Sequence, residues 1–143
     1  MNVLFVCTGN TCRSAMAEAI LRAKQTDVHV QSAGIYAQPG DAMSANAQAV
    51  LNDQQIAHAH TASALTDEQL QWATVVLTMT NAHKQAILQA APQYASKLYT
   101  LHEYTTNSVQ DVRDPYGGTR HVYEQTFAEL QTAIDQLPFL KES

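Results

Sequence analysis

Cysteine is scarce in this chain: it has two, Cys7 and Cys12, both within the first dozen residues. A disulfide scaffold closes long loops with thiols spread along a chain, so a stapled mini-protein is excluded. Two thiols this close read as catalytic or redox chemistry in a reducing compartment, and the cytosol fits best. Charge is also sparse, at 15% of residues, and eight Lys and Arg are outnumbered by thirteen Asp and Glu for a net charge of −5. That balance argues against a nucleic-acid coat or a binder of anionic membranes. Long apolar runs are missing too. The opening Val3-Leu4-Phe5-Val6 is too short for a secretion signal, and nothing approaches the roughly 18 apolar residues of a membrane helix. Repeats, low-complexity tracts and linkers are absent as well. What is present is 45% apolar residues over 143 positions. A chain of about 150 residues removes roughly 68–70% of its unfolded surface from water, so residues 1–143 are expected to form one domain with a real core. Its expected partners are proteins and small molecules.

Short aliphatic runs alternate with helical patterns. Val3–Val6 reads as a buried strand, Met16, Ala19, Ile20 and Ala23 recur at helix spacing, and Val28–Ser32 reads as a second strand. A helix is predicted about Met43, Ala47, Val50 and Leu51. Thr66-Asp67-Glu68-Gln69 has the form of a capping box, which places a short helix through Leu70 and Trp72 before a strand over Thr74–Met79. Thr80 can cap a further helix that Pro92 stops. Lys97–Leu101 is the fourth strand, and Tyr123, Phe127, Leu130, Ile134 and Leu137 form the core stripe of a last helix ended by Pro138. Apolar strands separated by helices need crossover connections, which gives a doubly wound α/β domain with a parallel sheet covered on both faces. Ligands of such sheets sit at the carboxyl ends of the strands, near the topological switch point.

The loop after the first strand is Cys7-Thr8-Gly9-Asn10-Thr11-Cys12-Arg13-Ser14. Inward-pointing backbone N–H groups and the N-terminus of the following helix favour an oxyanion such as phosphate there. Gly9 is expected to supply φ freedom, and Asn10 tolerates the left-handed region and can brace the loop through its amide. Arg13 offers a planar fork to two phosphate oxygens. The amides, Arg13 and a hydrogen bond from Ser14 all favour a thiolate at Cys7, which then faces a bound phosphoryl group as an in-line nucleophile. An isolated Cys at a strand end is usually a small buried hydrophobe. Here the strand-to-helix context, the Gly-Asn pair and the Arg-Ser ending point to chemistry instead. The loop is not a Walker loop, since no GK[ST] ending follows Gly9. Displacing an ester oxygen or a guanidino nitrogen also needs a proton donor, and Asp114-Pro115 supplies a carboxyl on a turn between the last strand and the last helix.

Val6–Ser14, Ser32-Ala33-Gly34 and Asp114-Pro115-Tyr116 together resemble the low-molecular-weight protein tyrosine phosphatase family, in order and spacing over the whole chain. The resemblance implies a four-stranded parallel sheet in the order 2-1-3-4, with Cys7 as nucleophile, Arg13 as transition-state clamp and Asp114 as acid and then base. It implies phosphate or substrate contacts from Thr8, Gly9, Asn10, Thr11, Cys12, Ser14 and Tyr116. It also implies a Cys12 able to trap Cys7 as a reversible disulfide. No metal and no cofactor is implied; the partners are phosphorylated proteins, with inorganic phosphate as product, and a monomer is expected. Two departures stand out. Ala15 replaces the Pro that commonly follows Arg-Ser, at a small cost in rigidity. Tyr116 is followed by Gly117-Gly118 where many tyrosine-specific members carry a second aromatic. With Thr11 in place of a bulky aliphatic, this resembles the bacterial protein-arginine phosphatase branch.

The favoured function is therefore a cysteine-dependent protein phosphatase acting on phosphoarginine, with phosphotyrosine as the alternative. An arsenate reductase on the same fold would pass its oxidised state to further cysteines, and none exists beyond Cys12. A silent phosphate-binding module could dispense with Asp114, which is present. His58-Ala59-His60 has no third metal ligand at suitable sequence spacing and is expected on a surface loop. Tyr36 reads either as a pocket wall or as a core residue, and Asp111 as solvated.

Overall fold

Strand β1 (Asn2–Cys7) sits in the middle of a parallel sheet, flanked by β2 (His29–Gly34) and β3 (Val75–Thr78), with β4 (Leu98–Thr100) outermost beside β3. The computed structural model describes residues 1–141; the end of the expected 1–143 domain, Glu142 and Ser143, lies outside them. The order 2-1-3-4 agrees with the expected topology.

The alternating pleat sends Val3, Phe5 and Cys7 to one face of β1 and Leu4 and Val6 to the other, and both faces are covered. Helices α1 (Arg13–Ala23), α2 (Ala45–Asp53), α5 (Leu101–Thr106) and α6 (Arg120–Asp135) supply the first layer, where Met16, Leu51, Leu101, Leu130 and Ile134 are fully buried. On the other face α3 (Asp67–Trp72) and α4 (Asn81–Ala90) bring Leu70 and Ile87 against Leu4, Val6 and Val76. Each such side chain contributes about 1.5–3 kcal/mol on burial.

Local signals set most boundaries. Thr66 and Gln69 form the expected capping box on α3, and Thr80 caps α4 by accepting from the His83 amide. Elsewhere the boundaries move. β2 starts one residue later than Val28 and runs on to Gly34, because it pairs residue for residue with β1 from Asn2–His29 to Cys7–Gly34. Pro92 ends α4 but opens a 3₁₀ helix, Pro92–Lys97, so Lys97 is not part of β4. At the other end of β4, the Thr100 side chain caps α5, which takes Leu101 out of the strand; the sequence pattern did not reveal this helix. Pro138 does not stop the long helix. α6 ends at Asp135, and Pro138 begins a short α7 (Pro138–Lys141), a position where its missing N–H costs nothing.

The chain leaves β1 toward β2 on one side and returns to β3 on the other, so the loops after β1 and β3 face each other across the switch point. No helix among the described residues is long and apolar enough to cross a membrane.

Candidate active site

Cys7 ends the inward row of β1 and is 3% exposed, and α1 begins six residues later at Arg13. The intervening loop turns at Asn10, whose φ of 58° is left-handed. Gly9, expected to provide that freedom, does not lie at positive φ; the conformational burden falls on Asn10 alone. Loop closure against β2 explains Ser32-Ala33-Gly34. A Cβ on Gly34 would lie 2.5 Å from the Thr8 carbonyl oxygen and 2.9 Å from the Asn10 nitrogen. The Ile35 and Tyr36 amides donate to the Cys7 and Thr8 carbonyls, both at 2.9 Å.

Asn10 organises the layer beneath. Its Nδ2 donates to Ser14 Oγ at 2.8 Å and to Ser32 Oγ at 2.9 Å, and its Oδ1 accepts from the Ser63 amide at 2.9 Å. An amide nitrogen can only donate, so both serines accept there and keep their hydroxyl protons for other partners. The Ser14 hydroxyl proton is left for Cys7 Sγ, 2.7 Å away, and that of Ser32 goes to Glu18 Oε1. A directed chain thus places a hydroxyl donor where a thiolate would accept it. Ser14 is fully buried and lies behind the pocket, so it contacts the thiol and not the pocket space.

The cationic side is the buried Arg13, with Nη1 donating to the Val112 carbonyl at 3.2 Å and Nη2 3.7 Å from Asp114 Oδ2. That pair draws the segment after α5 over the loop. Asp114 Oδ1 accepts from the Tyr116 amide at 3.0 Å, the turn that Asp-Pro suggested. Asp111 is not merely solvated: its carboxylate accepts from the Asn81 amide at the start of α4.

These residues enclose a cavity of about 370 Å³ lined by Cys7 through Arg13, Asp114 and Tyr116, together with Tyr36, Gln38 and Asp41. Tyr36 and Tyr116 are 82% and 81% exposed, which places Tyr36 on the pocket wall and not in the core. Gln38 and Asp41 went unrecognised because their loop carries no motif. Cys12 is an unpaired thiol within 3.5 Å of the Ser44 and Tyr123 hydroxyls, and Thr11 Oγ1 lies 3.8 Å from its sulfur. His58 and His60, expected on a surface loop without a third partner, instead pack against Glu18 of α1.

His83 also went unrecognised. It enters from α4, across the switch point, with Nε2 2.8 Å from Thr8 Oγ1 and Nδ1 2.9 Å from Thr80 Oγ1. Burial pushes its pKa from 6.5 down to about 4; the Arg13 charge adds to this, and Asp111 and Asp114 oppose it. The unfolded chain takes up this proton near 6.5 and the folded chain only near 4. His83 therefore costs stability progressively as the pH falls through that window. Thermal melts at pH 7 and pH 5 test this: the loss in Tm is expected to be smaller for His83→Gln than for the wild type. Parallel losses would show that His83 titrates alike in both states.

A parallel α/β domain with a thiol at the head of the strand-to-helix loop at its switch point, and an aspartate beside the loop's arginine, has the architecture of a small α/β phosphatase. The chain belongs to the low-molecular-weight phosphotyrosine protein phosphatase family, whose pattern matches residues 2–142. It is 45% identical over 136 residues to a protein-arginine-phosphatase of Geobacillus stearothermophilus, covering 94% of this chain and 92% of that one. A protein-arginine-phosphatase of Bacillus subtilis (strain 168) is 43% identical over 141 residues, covering 96% and 94%. Among solved structures, the C7S mutant of the arginine phosphatase YwlE with a phosphorylated active-site serine superposes with a TM-score of 0.93 at 42% identity, covering 95% of this chain and 92% of that one.

Proposed function

We propose that this chain is a protein-arginine phosphatase working through a phosphocysteine. Cys7 Sγ attacks phosphorus in line as the bond to the guanidino nitrogen breaks, and Asp114 gives that nitrogen its proton. Asp114, now a carboxylate, takes a proton from a water that attacks the phosphocysteine; the S–P bond breaks, inorganic phosphate leaves and the thiolate returns. The loop amides from Thr8 to Cys12 and the Arg13 guanidinium hold the equatorial oxygens throughout. Ser14 acts from behind, on the sulfur. One chain supplies every group in this scheme, so a monomer suffices, and free thiols suit the cytosol.

The observation that carries the arginine assignment is Thr11 at the pocket lining, in a chain 43–45% identical to two proteins named arginine phosphatases. Thr is short and polar, and its hydroxyl can meet a guanidinium edge where a bulky aliphatic would pack on a phenyl ring. Asp114 can bond the same cationic group, and Tyr116 can stack on its plane. The exposed aromatics Tyr36 and Tyr116 at the mouth favour phosphotyrosine as the second reading. Side-by-side kcat/KM values on phosphoarginine and phosphotyrosine peptides decide between them. Wild type is expected to prefer phosphoarginine, and Thr11→Ile to lower that activity about 10- to 100-fold while preserving or raising the other. A wild-type preference for phosphotyrosine, or a parallel fall in both, overturns the arginine assignment.

Oxidation provides a further test of the loop. A thiolate at Cys7 oxidises first, and Cys12 lines the same cavity, so peroxide is expected to inactivate through a Cys7–Cys12 disulfide that reductant reverses. Mass spectrometry reads the bond directly. Equal recovery of a Cys12→Ser variant, with only higher oxides at Cys7 in the wild type, denies Cys12 a protective role.

A further inference from the structure

Glu18, His58 and His60 form a cluster that the phosphatase chemistry leaves unused, each offering one ligand atom within 4.8 Å of the other two. The orientation of His60 follows from its hydrogen bond. Its Nε2 lies 2.7 Å from the Asn10 carbonyl oxygen, which can only accept, so Nε2 carries the proton and Nδ1 of the neutral ring presents a bare lone pair. That lone pair faces Glu18 Oε1 at 4.0 Å. Beside it the His58 ring stacks on His60, centroids 5.6 Å apart, and His58 Nε2 is buried without a hydrogen-bond partner. Among the described residues it is the one buried side-chain nitrogen or oxygen left so. These groups converge on one point, where a cation would take up the His60 lone pair, the orphan His58 nitrogen and a second lone pair of the Glu18 carboxylate together.

We propose that Glu18, His58 and His60 bind a divalent transition metal of the zinc class. Two imidazoles and a carboxylate are the donor set that borderline ions such as Zn²⁺ and Co²⁺ take, with water completing the shell. Room for that water lies in a shallow polar cavity of about 260 Å³ bordered by Glu18, His60, Gln31, Ser63 and Gln69. The His60 N–H bonded to a backbone carbonyl is the outer contact that typically fixes a metal-binding histidine. Arg22 holds the other carboxylate oxygen at 3.0 Å and lowers affinity by charge repulsion, and Oε1, which accepts from the Ser32 hydroxyl, keeps a further lone pair for the metal. Tetrahedral ligands lie about 3.3 Å apart, so the cluster must contract by about 1.5 Å. His58, with Nε2 unheld, is the side chain free to move. Because His60 bonds Asn10, an ion here also fixes the left-handed residue of the catalytic loop from behind.

The test uses a full-length Cys7→Ser, Cys12→Ser protein, so that no thiol can compete for metal. Titration with Co²⁺ alone is expected to give one equivalent bound, with visible d–d absorption, no thiolate charge-transfer band and displacement by Zn²⁺. His58→Ala, which removes no hydrogen bond at Nε2, is expected to weaken binding about tenfold or more while its metal-free melting temperature stays at that of its parent. Glu18→Gln is expected to weaken binding similarly. No saturable binding at submillimolar metal, or binding that His58→Ala leaves unchanged, overturns the site and leaves Glu18 to its contacts with Arg22 and Ser32.

Discussion

Cys7→Ser is expected to lower kcat on phosphopeptides by on the order of 10⁴-fold or more, the scale on which removal of a covalent nucleophile acts. The substitution is nearly isosteric, and its hydroxyl can still meet Ser14 Oγ, so the loop keeps its shape. The charge on the attacking atom is what disappears. A serine hydroxyl lacks the thiolate's ionisation, and one neighbouring hydroxyl donor cannot supply it. Phosphate and vanadate binding is therefore expected to survive, because the loop amides and Arg13 are untouched. Calorimetry for binding and steady-state assay for turnover separate the two effects. Undiminished turnover in Cys7→Ser contradicts a thiol-based mechanism.

Asp114→Asn carries the second largest effect, roughly 10²–10⁴-fold in the chemical step. Asp114 is half exposed and sits 3.7 Å from Arg13, with its carboxylate tied to the Tyr116 amide by its own turn. Asparagine keeps the shape and the turn but can neither release nor accept the transferred proton. The loss is expected to be greatest for leaving groups that depart poorly without a proton, phosphoarginine and alkyl phosphates, and smallest for nitrophenyl phosphate. A series of esters with graded leaving groups measures this dependence. Equal rates for variant and wild type on a phosphotyrosine peptide would assign the acid to another residue.

Much of this arrangement was legible from local signals. The strand, loop and helix pattern put Cys7 at the end of the first strand and Arg13 at the start of the first helix, where the structure has them, and apolar strands separated by helices specified the parallel sheet. The chain's resemblance to a known family supplied the strand order, which composition and periodicity did not. What stayed hidden depends on pairs distant in sequence. The interaction of His83 with Thr8 exists because the loops after β1 and β3 meet at the switch point. Glu18 reaches His58 and His60 because α1 packs beside the segment that follows α2, which no spacing rule encodes. Similarly, Gly9 and Asn10 both tolerate positive φ, and only the close passage of the loop over Gly34 selects Asn10, whose side chain then bonds Ser14, Ser32 and Ser63. Short elements were missed for a simpler reason. α5 has six residues, too few for apolar periodicity to register, and depends on the cap from Thr100.

The most direct measurement of the central claim is to trap the intermediate. Wild-type enzyme turning over a phosphoarginine peptide is quenched rapidly in acid and mapped by mass spectrometry. The mechanism predicts one phosphoryl group on Cys7, formed and lost at rates compatible with turnover. Phosphate release proceeding with no phosphoryl on Cys7, or with the phosphoryl on a different side chain, would contradict it.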